Sequence, residues 1–163
     1  MGAETAAAPT PSQTVGPFFG FALPFPGDAE AVAAGPGSVR VEGQVLDGEG
    51  KPVADAILEL WEGEQFARCR TDAEGAFHFL ALQPAARAGQ APHFELTVFA
   101  RGLLRQLATR IYLPDEEDAN RADPALEAVP ADRRETLIAR RSGGVLLFDV
   151  RLQGDRETVF FAL

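Results

Sequence analysis

Donors for disulfides, metals and nucleophilic chemistry are scarce in this sequence. Its 163 residues include one Cys, one Tyr, one Trp, one Met and two His, against twelve Phe. The single cysteine, Cys69, excludes a disulfide within the chain and fits a reducing cytoplasm, where it reads as a small packing residue. No apolar run approaches the roughly 18 residues that a membrane-spanning helix requires. The opening residues lack a basic stretch ahead of an apolar core, so no signal peptide is expected. The Met-Gly start carries Ala6 where a myristoylation motif needs Ser or Thr. There is no G-x-S-x-G elbow, no His beside Ser12, Ser38 or Ser142, and no glycine-rich phosphate loop. Basic residues are outnumbered 15 to 24, and the net charge of −9 argues against a nucleic-acid partner.

What is present is strand pattern. Hydrophobic content of 46% over this length is enough for one domain with a real core. Val39, Val41 and Val45 alternate with Arg40, Glu42 and Gln44, the period of a half-buried strand. Further strands are expected over residues 56–61, 66–71, 76–80, 137–141, 145–152 and 158–161. Turns fall at Asp47-Gly48-Glu49-Gly50 and Asp72-Ala73-Glu74-Gly75, where Asp and Gly tolerate positive φ. About eight short strands with little helix describe an all-β, antiparallel β-sandwich. Residues 38–163 form this sandwich, and residues 1–37 read as an extended N-terminal arm. Four Phe within residues 12–25 make the arm too apolar to stand free, so it docks on the sandwich or on a partner. Residues 113–133, rich in Asp, Glu, Ala and Pro, read as a long excursion with one helical turn. Asp132 and Glu135 have the spacing of a capping box.

The stretch 91–113, APHFELTVFARGLLRQLATRIYL, carries the chemistry that there is. It reads as a strand, an Arg-Gly turn and a second strand, with His93, Glu95 and Arg101 as polar members. His93 and Glu95 share one strand face. They are either an incomplete pair of metal ligands or a histidine hydrogen-bonded to backbone at the start of a hairpin. Arg101 is either solvent-exposed or a planar fork for a carboxylate. His78 lies on the face opposite Phe77 and Phe79, exposed or at an interface. The run Asp115-Glu116-Glu117-Asp118 lacks the spacing and glycine of a calcium loop and reads as a solvated acidic loop. Arg133-Arg134 and Arg140-Arg141 are expected to pair with the chain's own acids or with an acidic partner surface.

Several segments, in order over nearly the whole chain, resemble the intradiol ring-cleavage dioxygenases. They are TPSQTVGPFF (10–19), VEGQVLD (41–47), LELW (58–61), APHFEL with FARG (91–102), RIYL (110–113), RRETLIARR (133–141), FDVRLQG (148–154) and ETVFF (157–161). The resemblance implies an iron enzyme built from two related sandwich subunits, with the active site between them. The family's beta-type subunit holds one ferric ion with two tyrosines and two histidines. This chain has His93 at the first histidine position but Glu95 at the second, and its only tyrosine, Tyr112, does not fall at a ligand position. The resemblance therefore implies no metal and no catalytic residue in this chain alone, with Fe(III) ligated by a beta partner in a higher-order hetero-oligomer. It also implies that Thr14, Gly16, Pro17 and Arg101 face the substrate pocket, Arg101 toward the carboxylate of 3,4-dihydroxybenzoate. The implied reaction cleaves that ring with O2 to give 3-carboxy-cis,cis-muconate.

Two departures accompany the resemblance: Phe18 stands where the family often has Tyr, and residues 62–72 are shorter than such a subunit would have. A different reading also has support. GQVLD, GKPVADAILEL and TDAEGAF resemble transthyretin-like and carboxypeptidase-regulatory sandwiches, which bind rather than catalyse. Such modules lack the QTVGPFF arm and the ETVFF tail.

Overall fold

Two sheets face each other across one core in the computed structural model, which describes residues 10–87 and 89–162. The expectations for the opening MGAETAAAP segment and for residue 88 of the following loop lie outside these residues. Among the described residues nine strands form in chain order: β1 Ser38–Leu46, β2 Ile57–Glu62, β3 Gln65–Arg70, β4 Ala76–Leu82, β5 His93–Phe99, β6 Leu107–Tyr112, β7 Arg140–Ser142, β8 Val145–Leu147 and β9 Val150–Arg151. The first sheet runs β4-β1-β8-β7, with β9 also paired to β1; the second runs β3-β2-β5-β6. The second sheet is antiparallel throughout, as are β1·β4 and β7·β8, whereas β8 and β9 run parallel to β1. The expected sandwich is therefore present, with one mixed sheet.

Alternation explains which residues fill the gap between the sheets. Val39, Val41, Phe77, Phe79 and Leu146 project from the first sheet, and Leu58, Leu60, Phe94, Leu96 and Val98 from the second, all buried in a single cluster. Cys69 belongs to this cluster, and burial pushes its thiol up from the ordinary value. The single strand expected over 145–152 is broken at Phe148. The Phe148 amide donates to the Glu42 carbonyl at 2.8 Å, and its own carbonyl crosses Gly43 so closely that a Cβ there would sit 1.7 Å from it. Only glycine admits that approach. Residues 158–161 form no strand; Phe161 makes an isolated bridge to Ala108.

The arm is anchored where both sheets have an edge. The Arg68 amide of β3 donates to the Asp28 carbonyl at 2.7 Å, while Leu80 of β4 exchanges backbone hydrogen bonds with Ala29 and Ala31 at 2.9 and 2.8 Å. Residues 28–31 thus bridge the outer strands of the two sheets, satisfying edge groups that would otherwise be open. A short helix, α1 Phe19–Ala22, precedes this bridge, held by Arg70 Nη1 donating to the Gly20 carbonyl at 3.3 Å. Its rings face outward: Phe18 is 79% exposed and Phe21 74%.

The excursion after β6 contains two helices rather than one turn, α2 Glu117–Ala122 and α3 Pro124–Ala128. Asp123 caps α3, its Oδ1 accepting from the Ala125 and Leu126 amides at 2.9 and 3.0 Å. The capping box expected at Asp132 and Glu135 does not form: residues 134–137 make a 3-10 turn that starts from Arg133 without a side-chain cap. Of the strand expected over 137–141, this turn takes Leu137, Ile138 makes only an isolated bridge to Tyr112, and the strand begins at Arg140. The excursion covers the outer face of β6, where Tyr112, Leu126, Val129 and Leu137 make a second apolar cluster.

Candidate functional site

The β5–β6 hairpin presents its polar residues at two ends. At the loop end, the connection occupies residues 100–106, and Gly102 turns the chain at φ +87°. Arg101 is exposed, and its Nε donates to Asp55 Oδ2, from the loop before β2. Neither Nη of Arg101 has a protein hydrogen-bond partner among the described residues. The adjacent Gly102 amide donates to Thr14 Oγ1 at 2.8 Å. Gln13 and Val15 of the arm and Leu103 to Gln106 of the loop enclose a cavity of about 110 Å³ beside it.

Of the four residues expected to face a pocket, the fold brings Thr14 against the turn that carries Arg101. Gly16 and Pro17 follow two and three positions later on the same arm, exposed and without hydrogen bonds of their own among the described residues. Asp55 carries no local signal of this role, because its link to Arg101 spans 46 positions.

At the other end, His93 is half-buried and Glu95 exposed. The Ala91 carbonyl lies 2.8 Å from His93 Nδ1; since a carbonyl only accepts, Nδ1 carries the proton and Nε2 is the acceptor. Burial lowers the His93 pKa and outweighs the opposing pull of that carbonyl. The His93 ring lies 5.1 Å from that of Tyr112, centroid to centroid. With Trp61, Glu62, Arg87 and Glu95, His93 lines a cavity of about 200 Å³, across which Arg87 and Glu62 pair at 2.6 Å.

These donors do not fit a ferric ion. No three His, Cys, Asp or Glu side chains converge among the described residues. Glu95 points to solvent with Arg110 at 4.0 Å. The fully buried Tyr112 hydroxyl is already committed, donating to Asp123 Oδ1 at 3.1 Å and accepting from Arg110 Nη1 at 3.2 Å. Burial raises the Tyr112 pKa, which opposes the tyrosinate form that ferric iron needs. His93 is thus the backbone-bonded histidine of a hairpin start.

Asp123 is the buried polar hub that sequence reasoning missed, although Asp-Pro at a helix start was its signal. It is fully buried and accepts from Ala91 N at 2.8 Å, besides Tyr112 and its own helix. Burial raises its carboxyl, but the amides of Leu126 and Ala91, the Tyr112 hydroxyl and the Ala125 amide together pull it below the ordinary value. Of the arginine doublets, Arg141 pairs with Asp115, while Arg133 and Arg134 donate to backbone carbonyls of Glu157, Val129 and Glu127. His78 is half-buried and lines an outer groove beside Arg40 and Glu42.

No family model matches the chain. It is 39% identical to the protocatechuate 3,4-dioxygenase alpha chain of Burkholderia cepacia, over 93% of this chain and 96% of that one. Identity to the alpha chain of Pseudomonas putida is 36%, over 93% and 95%. The protocatechuate 3,4-dioxygenase beta chain of Burkholderia cepacia is more distant, 28% identical over 64% of this chain and 56% of that one. The alignment to the first of these runs over 189 positions, more than the 163 residues present, so this chain lacks segments which that relative has. Among solved structures, the dioxygenase domain of a carbohydrate-binding fusion protein from Streptomyces sp. SirexAA-E matches with a TM-score of 0.61 at 24% identity. That match covers 90% of this chain and 99% of that one, a likeness of fold.

Proposed function

Because the chain belongs to the family of protocatechuate 3,4-dioxygenase alpha chains, we propose that it forms one wall of a ring-cleavage site whose iron is held by a beta-type partner. It is a dioxygenase subunit, and alpha and beta relatives together imply an alpha/beta hetero-oligomer. The substrate of the assembled enzyme is 3,4-dihydroxybenzoate. Both atoms of O2 enter the product, 3-carboxy-cis,cis-muconate, as the bond between the two hydroxylated carbons breaks. The observation that carries this reading is the similarity to alpha chains over more than nine-tenths of both sequences.

This chain's own contribution is positioning and charge. Arg101 directs its Nη groups to the substrate carboxylate, a contact its planar fork suits and that a net charge of −9 would otherwise oppose. Asp55 holds the Nε side of the guanidinium, and Thr14 ties the arm to the same turn. Gly16 and Pro17 extend that wall as backbone without bulk. The ferric ion, bound by the partner, supplies activation of the catecholate for reaction with O2. The outward Phe18 and Phe21 meet the partner, and the arm (1–37) and the sandwich (38–163) act as two interface elements of one higher-order assembly in the cytoplasm. No helix among the described residues is long and apolar enough to cross a membrane.

Co-expression tests the proposal. A tagged copy of this chain is expected to retain a beta-type chain through purification and to cleave 3,4-dihydroxybenzoate. Failure to retain any beta-type chain would reject it.

A further inference from the structure

One ring nitrogen of His93 is left unused by the fold. Nδ1 is committed to the Ala91 carbonyl, and Nε2, the acceptor, has no protein hydrogen-bond partner among the described residues. The strand register shows what surrounds this ring. Trp61 pairs across the second sheet with Phe66 on one side and Glu95 on the other, so these three side chains leave the same outer face. His93, two residues before Glu95, shares that face. The loop between β4 and β5 supplies the rest of the cavity wall through Ala85, Arg87 and Gln90. Gly63 lets Arg87 cross it, since a Cβ there would lie 2.1 Å from Arg87 Nη2.

Size, shape and charge each restrict what can enter. A cavity of about 150 Å³ admits benzene, so the cavity of about 200 Å³ here takes one substituted ring. A flat body has a surface to lie on, because Trp61 is 43% exposed, its ring packed against that of Phe66 at 4.5 Å between centroids. The lining offers no spare positive charge for an anion. Arg87 pairs with Glu62 Oε1 at 2.6 Å, while Glu62 Oε2 accepts from Gln65 at 2.7 Å. Glu95 adds a second carboxylate at the rim, so Arg87 is set against two acids, and a carboxylate ligand is repelled. An ammonium would have to sit beside the Arg87 guanidinium. A neutral hydroxyl meets neither obstacle, and it donates to the half-buried Nε2.

We propose that this cavity binds a neutral, single-ring phenol, its ring against Trp61 and its hydroxyl donating to His93 Nε2, without chemical change. Trp61 is the only tryptophan of the chain, so its fluorescence reports occupancy directly. Phenol, titrated into the full chain with excitation beyond its own absorption, is expected to quench that emission saturably, with half-saturation at about 1 mM for so few atoms. Fluorobenzene, which lacks the hydroxyl, binds about threefold to tenfold more weakly, and His93→Phe weakens phenol by the same factor. Ala85→Leu, at an exposed loop position, fills the cavity without burdening the core and weakens phenol about tenfold or more. Circular dichroism confirms that each variant is folded, and Ala85→Leu decides the matter if His93→Phe does not fold. Quenching that rises linearly without saturation would overturn the proposal, as would phenol affinity unchanged by the substitutions. So would benzoate binding as tightly as phenol, since Arg87 rather than His93 would then read the ligand.

Discussion

The hydroxyl of Thr14 accepts a 2.8 Å hydrogen bond from the amide of Gly102, joining the N-terminal arm to the turn that carries Arg101 across 88 positions of sequence. Everything proposed for the substrate side of this chain depends on that junction. An exposed hydrogen bond of this kind contributes about 1 kcal/mol. Thr14→Val is therefore expected to loosen the arm without unfolding the sandwich. Amide hydrogen exchange should report faster exchange at Gly102 and over residues 13–18, with unchanged rates in β1 and β5.

Arg101→Ala in the assembled enzyme removes the charged fork. A hydrogen bond to a charged group is worth about 1.5–3 kcal/mol, so KM for 3,4-dihydroxybenzoate should rise about tenfold to a hundredfold while kcat changes little. Arg101→Lys recovers only part of the loss, because an ammonium lacks the bidentate geometry. Asp55→Asn leaves the guanidinium present but less constrained, and its KM should rise by less than about fivefold. Steady-state kinetics with catechol, which lacks the carboxylate, should be nearly blind to Arg101→Ala.

Asp123→Ala removes a helix cap and strands two buried donors, the Ala91 amide and the Tyr112 hydroxyl. The expected loss of stability is about 2–4 kcal/mol by urea denaturation. Tyr112→Phe deletes only one partner and should lose about 1 kcal/mol.

Acid should destabilise the chain through two groups. The Asp123 carboxyl is lowered in the fold, so its contribution is complete above the ordinary carboxylate value and fades as pH falls toward the folded one. His93 is also lowered, so the unfolded chain takes up its proton first and stability declines as pH drops below about 6.5. His93→Gln should flatten the denaturation midpoint between about pH 7 and 5, leaving the steeper loss below about pH 4 in place.

The exposed rings of the arm make a separable prediction. Phe18→Ser with Phe21→Ser removes apolar surface that the fold itself does not bury, so the melting temperature should stay within a few degrees while retention of a beta-type chain falls about tenfold or more.

Strands β1 to β6 were legible because their residues alternate or carry turn signals at fixed places, as at residues 47–50 and 72–75. Alternation fails at the C-terminal end for a stated reason: Phe148 crosses Gly43, splitting one apparent strand into two, both parallel to β1. The capping box at Asp132 was a spacing without a helix behind it, whereas Asp123-Pro124 was the real helix start. Thr14 entered as a site residue through family resemblance, and its bond to Gly102 needed coordinates. Arg101 was visible as a lone cation in an apolar hairpin, but its Asp55 partner was not, because nothing local connects them. The absence of a second tyrosine was enough to argue that iron lies elsewhere, and the commitment of Tyr112 to Asp123 and Arg110 explains in structural terms why this one is unsuitable.

The central claim is that this chain completes a site whose metal another chain holds. Iron content and O2 uptake with 3,4-dihydroxybenzoate, measured on the purified chain alone and on its complex with a beta-type chain, test it most directly. The account predicts no stoichiometric iron and no uptake for the chain alone, and about one iron per alpha/beta pair with substrate-dependent uptake for the complex. Stoichiometric iron and turnover in the chain alone would contradict it.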